Sequence, residues 1–502
     1  MAILYLYTFL LARMLPVSQV GQYFLMVTIV GLVGLAALVG LDTGVVRFVA
    51  LFGGEGRLAD ARKTLSAGLL VGVPAGLVFA AALAWQAPFV SRHFLGGGAG
   101  AVTTLRILSL SVPLLVAARL FNATTQGMHR MRYQVFSRDM GEQVFKLGLS
   151  AVALAIGAGL FGVVWANVAA LILATAMSFY FATVVLARRK SFGEAGAVKE
   201  HKNADDADES PAGAMLRYSY PLALSNVAVA LGVQIDTLML GFLGTTEAVG
   251  YYGVALKVSV ASAKVITAFG LVFTPVIADL WNRGRTSELH KLFITVTRWI
   301  FAISVPFFII AIMFSSQIMK IFGAGFVAGG TALVILALGQ LFNTFTGAAG
   351  IMVLMSGRSK LELLNVTSAL IVDAMLCYLL IPRYGINGAA IANMTSLGLV
   401  NAMRVVEIKV VMNMFAYDRS FIKPVLAGLA AATMTFLIAR FVLVNIGFRQ
   451  LAILALILVF FYVLIMVALG LDENDRAVLR NFQTRVTGYK HRKNPSLNIK
   501  EE

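Results

Sequence analysis

Lys257 and Lys264 sit inside an apolar stretch, seven residues apart, a spacing that puts both on one face of a helix. A charge at mid-membrane costs about 2.5–3.5 kcal/mol on insertion scales, so two on one face predict a polar cavity rather than lipid. Asp236 interrupts the preceding apolar run, 217–243. Two ammonium groups near a carboxylate can hold an anionic ligand, or they can neutralise Asp236 in the dry interior. Lys146 follows Glu142 by four residues, and glutamate before lysine at that spacing is the favourable local ion pair. Asp373 lies at a matching depth in a later apolar run. Asp236, Glu142, Lys146 and Asp373 are therefore the candidates for ion coupling or charge pairing. Arg47 and Arg119 lie near helix ends, where a guanidinium either grips phosphate in two-pronged fashion or snorkels to the membrane surface. With Lys257 and Lys264 they form the candidate substrate-binding set.

The elements that must position these groups are membrane helices. The 502 residues are 59% hydrophobic and 13% charged, about half the charged share of a soluble domain. The single cysteine, Cys377, leaves no disulfide framework and no zinc spacing, and the five histidines do not cluster. No GxxxxGK[ST] loop occurs, so no nucleotide-hydrolysing site of that type is present. The net charge of +17 reads as membrane topology and not as nucleic-acid binding.

Runs of about 20 apolar residues predict fourteen spans, at 1–15, 21–41, 65–87, 103–122, 139–159, 161–187, 217–243, 250–281, 293–314, 329–350, 361–381, 386–411, 424–446 and 449–470. The first is short. It lacks the basic leader and small-residue cleavage site of a signal peptide. With the N-terminus inside, cytoplasmic segments hold 30 of the 41 Lys and Arg, outer loops hold 5 and spans hold 6. That asymmetry predicts both termini in the cytoplasm.

The chain echoes itself. Val20-Gly21-Gln22-Tyr23 returns as Val249-Gly250-Tyr251-Tyr252 at an offset of 229, and Gly56-Arg57 returns as Gly284-Arg285 at 228. Gly162 to Asn167 returns as Gly388 to Asn393 at 226. Three matches in order at nearly one offset predict a duplicated unit. Six spans per unit is even, so the copies enter the membrane in parallel, with a substrate site expected between them. The expected domains are an N-lobe (1–187), a polar cytoplasmic linker (188–214), a C-lobe (215–412), two further spans (413–471) and a basic cytoplasmic tail (472–502).

These landmarks carry a family resemblance. Leu11-Ala12-Arg13-Met14-Leu15-Pro16, Gly40-Leu41-Asp42-Thr43-Gly44 and Tyr218-Ser219-Tyr220-Pro221-Leu222 are similar to stretches of the polysaccharide flippases of the multidrug/oligosaccharidyl-lipid/polysaccharide (MOP) exporter superfamily. So are Gln234-Ile235-Asp236-Thr237 and Tyr384-Gly385-Ile386-Asn387-Gly388. The resemblance implies an all-α polytopic protein of two six-helix lobes around a central cavity, plus two C-terminal helices. It implies a transporter, not an enzyme, that turns undecaprenyl-pyrophosphate-linked oligosaccharide from the inner to the outer leaflet of the cytoplasmic membrane. Its partners would be that lipid-linked glycan, membrane lipid, a polysaccharide polymerase and glycosyltransferases. No cofactor is expected, and a proton or sodium gradient is an expected source of coupling. A peptidoglycan lipid-precursor flippase and a cation-coupled multidrug antiporter are the alternatives. Embedded charges that are mostly basic weigh against a cavity for drug cations.

Overall fold

The computed structural model describes residues 2–187, 211–442 and 447–470. Most of the expected linker (188–210) and the whole expected tail (472–502) lie outside the described residues. Within them every regular element is helical and there is no strand. The helices are α1 (Ala2–Met14), α2 (Val17–Leu38), α3 (Leu41–Gly54), α4 (Leu58–Phe94), α5 (Ala99–Gly127), α6 (Gln143–Ala155), α7 (Gly159–Ala187) and α8 (Pro211–Leu243). They continue with α9 (Thr246–Ser259), α10 (Ala263–Asn282), α11 (Thr286–Met313), α12 (Gly330–Thr346), α13 (Ser359–Tyr384), α14 (Ile386–Met412), α15 (Ile422–Val442) and α16 (Phe448–Ala468). Among the described residues, twelve helical segments are long and apolar enough to cross a membrane. The other two of the fourteen predicted spans are α1, which is short, and the helix ending in α6. The latter opens with a charged π-helical turn, Val135–Glu142.

The eighth predicted span is not one rod. It divides into α9 and α10 at Val260-Ala261-Ser262. There the backbone closes onto third-neighbour carbonyls, with Ala263 N to Val260 O at 3.0 Å and Val265 N to Ser262 O at 3.0 Å. The Ser262 hydroxyl donates to the Ser259 carbonyl at 3.1 Å, the local competition with the helix ladder by which serine bends helices. The single face expected to carry Lys257 and Lys264 is therefore interrupted.

The chain packs as two compact units. One comprises the described residues of Met1–Lys257 with Met319–Ala332 and Ala369–Ala392. The other comprises Val258–Ile318, Leu333–Ser368 and the described residues from Asn393 onward. This grouping cuts differently from the expected lobes, because α8 lies along α2, α3 and α4 of the first sequence copy.

In the first unit α2 and α9 meet backbone to backbone. A methyl on Gly21 would lie 1.7 Å from the Thr246 carbonyl oxygen, and one on Gly250 would lie 2.5 Å from that of Val17. Val17 and Thr246 are separated by 229 residues, as are Gly21 and Gly250. The contact is reciprocal between equivalent positions of the two copies, which explains why both landmarks carry glycine.

In the second unit α11 is the central strut. Phe293, Val296 and Ile300 are buried with Phe273 and Ile277 of α10. Phe301 and Val305 pack on α15 and α16, and the Tyr462 hydroxyl donates to the Ala302 carbonyl at 2.8 Å. A ring cluster of Phe301, Phe345, Tyr417 and Phe421 closes one end, with Phe345 and Tyr417 stacked at 4.5 Å.

Candidate functional site

The first unit gathers seven of the eight expected site groups, all but Lys264, together with Tyr252. Its interior holds two related polar pairs. Tyr7 on α1 donates its hydroxyl to that of Tyr23 on α2 at 2.7 Å, and Asn167 on α7 donates to the same oxygen at 3.0 Å. In the second copy Asp236 on α8 takes the place of Tyr7, and Tyr252 on α9 that of Tyr23, both at an offset of 229. Tyr252 donates its hydroxyl to Asp236, whose other oxygen accepts from the Thr237 backbone N–H at 2.6 Å. Asp373 and Cys377 on α13 lie close enough to act electrostatically on the Tyr252 phenol. Cys377 donates its thiol to Asp373 at 3.6 Å. Asp236, Asp373, Tyr252 and Cys377 are all buried. Two buried carboxylates thus lie near one phenol, one of them also bonded to a thiol, an arrangement that can exchange a proton.

Lys257 ends α9. Its ammonium lies 3.3 Å from the centroid of the Phe24 ring, a cation–π contact. The hydroxyl of Tyr5 donates to its backbone carbonyl at 3.0 Å. Among the described residues Lys257 has no carboxylate within ion-pair distance, so the weighed neutralisation of Asp236 by this lysine does not occur. The charge acting on it is another cation, Lys146. Lys146 in turn donates to Glu142 at 3.2 Å, the pair set by their four-residue spacing. Lys264 lies beyond the break, on α10 in the second unit, and is exposed. The cation that shares an interior with Lys257 is therefore Lys146.

Arg119 on α5 lies 3.7 Å from Asp42 at the start of α3. Arg47, one and a half turns later on α3, is exposed and its guanidinium lies 4.3 Å over the Tyr218 ring. Arg119 also borders a cavity of about 560 Å3 between α1, α5, α7 and the π-helical turn before α6. Arg138, Asp139 and Glu142 line it from that turn, and Asn122, Gln143 and Ser178 complete its polar wall. Gly141 lets the turn approach α7, since a methyl there would lie 2.7 Å from the Phe136 carbonyl and 2.4 Å from Met177 Cε. A π turn inside a helix is a frequent mark of a functional place.

The sequence reading missed Arg138, Tyr7, Tyr23 and Asn167. It also missed a polar network in the second unit. There the Arg404 guanidinium on α14 donates through both Nε and a terminal nitrogen to Glu362 on α13, the former at 3.1 Å. It also donates to Asn401 at 3.3 Å. Asn401 donates to Asn343 at 3.2 Å and accepts from Thr346 at 3.0 Å. Glutamate early in one span and arginine late in the next was the available signal. The positive-inside count places Arg404 at a cytoplasmic helix end, and Glu362 falls inside the span 361–381.

Comparison with known proteins bears on the whole arrangement. Residues 1–281 match the model of the polysaccharide biosynthesis protein family, and residues 221–379 match that of the MatE family. A curated relative from Haloferax volcanii, "Probable flippase AglR", is 23% identical over 178 residues, 34% of this chain. The match spans 37% of that relative's length. Among solved structures, an inward-facing multidrug resistance MATE family transporter of the MOP superfamily aligns with a TM-score of 0.63. It is 17% identical, over 82% of this chain and 95% of that one. The lipid II flippase MurJ in an inward closed conformation aligns with a TM-score of 0.61 at 14% identity, over 89% of this chain and 97% of that one. The fold is thus the one these solved transporters share, and with more than half of its length matched by the family model the chain belongs to the polysaccharide biosynthesis protein family, as a multi-pass membrane protein.

Proposed function

We propose that the protein carries an undecaprenyl-pyrophosphate-linked oligosaccharide from the inner to the outer leaflet of the cytoplasmic membrane, by alternating access, for O-antigen, capsule or exopolysaccharide assembly. The observation that carries this reading is the Lys257 ammonium, held in the first unit on a ring face with Lys146 as its charged neighbour. Two cations in one low-dielectric interior repel each other. A pyrophosphate, with about two negative charges, relieves that repulsion, whereas a drug cation adds to it. Arg47 and Arg119 meet the headgroup nearer the membrane surface. Both termini lie in the cytoplasm, and a polymerase and glycosyltransferases act before and after transport.

The test is Lys257→Gln together with Lys146→Gln, at normal membrane levels, with surface polysaccharide as the readout. Loss of surface delivery by about ten-fold or more is expected, the effect of about 1.4 kcal/mol in headgroup binding. Full delivery overturns the assignment. Asp236 and Asp373 are the proposed coupling groups, with a proton or sodium ion as the coupled species.

A second reading, a peptidoglycan lipid-precursor flippase, is favoured by the fold shared with the lipid II flippase. Purified protein in proteoliposomes separates the two, by which lipid-linked glycan it moves.

A further inference from the structure

The cavity beside Arg119 has a lining that the pyrophosphate does not explain. Arg119 and Arg138 contribute two positive charges and Asp139 and Glu142 two negative ones, and the amides of Asn122 and Gln143 add to the lining. An anionic ligand would meet both carboxylates, and a cationic ligand both guanidiniums. A neutral ligand rich in hydroxyl groups meets neither penalty, because each hydroxyl both donates and accepts. The volume, about 560 Å3, falls within the range of small-ligand pockets. Leu4, Leu115 and Leu171 supply an apolar wall against which a sugar ring's C–H face can lie.

The duplication sharpens the point. At the offset of 226 set by the α7 and α14 landmarks, Ser178 corresponds to Arg404. In the second copy that position places its own guanidinium among Glu362 and Asn401. In the first copy the smaller serine lines open space. The cavity also adjoins the cations, since Glu142 borders it and holds Lys146, which acts on Lys257.

We propose that this cavity is a saccharide seat, which takes the first neutral sugars of the lipid-linked glycan while the pyrophosphate lies at Lys146 and Lys257. This rests on the flippase reading and adds to it a place for the sugar.

The test uses full-length protein in nanodiscs and two probes. One is undecaprenyl pyrophosphate without sugar, and the other is the same lipid bearing a short neutral oligosaccharide. Wild type is expected to bind the sugar-bearing lipid about ten-fold more tightly, a difference of about 1.4 kcal/mol. Ala174→Phe, which fills the cavity, reduces that preference to about two-fold or less and leaves affinity for the sugar-free lipid unchanged. Gln143→Ala and Asn122→Ala, which remove hydrogen bonds without adding bulk, lower the preference in the same direction and serve if the phenylalanine variant does not fold. Wild type binding both lipids alike, or the cavity variants keeping the full preference, overturns the saccharide seat and leaves the flippase reading intact. Wild type binding neither lipid overturns both.

Discussion

Lys257 faces a phenyl ring rather than a carboxylate, and that choice of partner decides what the residue can do. A carboxylate would hold the ammonium in a closed ion pair. The Phe24 ring stabilises a cation by about 0.5–2 kcal/mol and leaves its hydrogen-bonding protons available for an incoming anion. Lys257→Gln is therefore expected to lower transport far more than Lys264→Gln, which alters an exposed side chain beyond the helix break, and a side-by-side assay of surface polysaccharide reads the difference. Asp236→Asn keeps an acceptor for Tyr252 but removes a buried charge. Its expected effect is a transport rate that no longer responds to changes in proton or sodium gradient, measured in proteoliposomes; an unaltered ion dependence rules out coupling through this residue. Charges such as Lys257, Asp236 and Glu142 were legible because a charge stands out in an apolar run. Tyr7, Tyr23 and Asn167 were not, because neutral hydroxyls and amides are common in membrane helices and their pairing depends on which helices touch. The partners Tyr23 and Asn167 are 144 residues apart in the chain.

At the level of helices, run length located nearly every span, and the errors have local causes. Nothing in Val260-Ala261-Ser262 announces a break, since it contains neither proline nor glycine. The interruption arises from a serine hydroxyl on a carbonyl three residues back, which sequence periodicity does not register. The π-helical turn before α6 was equally hidden. The α2–α9 crossing rests on paired glycines that the sequence shows only as a repeat landmark. Adding a methyl at Gly21 or Gly250 forces the two backbones apart. Each Gly→Ala variant is expected to lose about 1–3 kcal/mol of stability, the usual cost of overpacking, seen as a lower unfolding temperature in detergent. Gly31→Ala, on the same helix with open space beside it, is the control and should leave that temperature almost unchanged.

Across the whole molecule the two sequence copies have been put to different uses. One keeps a cavity where the other keeps an ion pair. Glu362→Gln leaves Arg404 with part of its hydrogen bonding but without its counter-charge, and is expected to destabilise by about 2 kcal/mol, somewhat less than the 3–5 kcal/mol of a fully buried pair. Restoring neutrality in Glu362→Gln with Arg404→Gln should recover most of that loss, measured by thermal unfolding. The class of fold and the repeat were legible in composition and spacing. The grouping into compact units was not, because it depends on which faces of α8 and α13 find partners. The reciprocal meeting of Gly21 with Thr246 and of Gly250 with Val17 carries one more consequence. It is the isologous contact of a two-fold dimer, written into a single polypeptide. A half-length forebear would have needed only one glycine, used twice, to dock onto its own twin, and joining the genes freed each half to change alone.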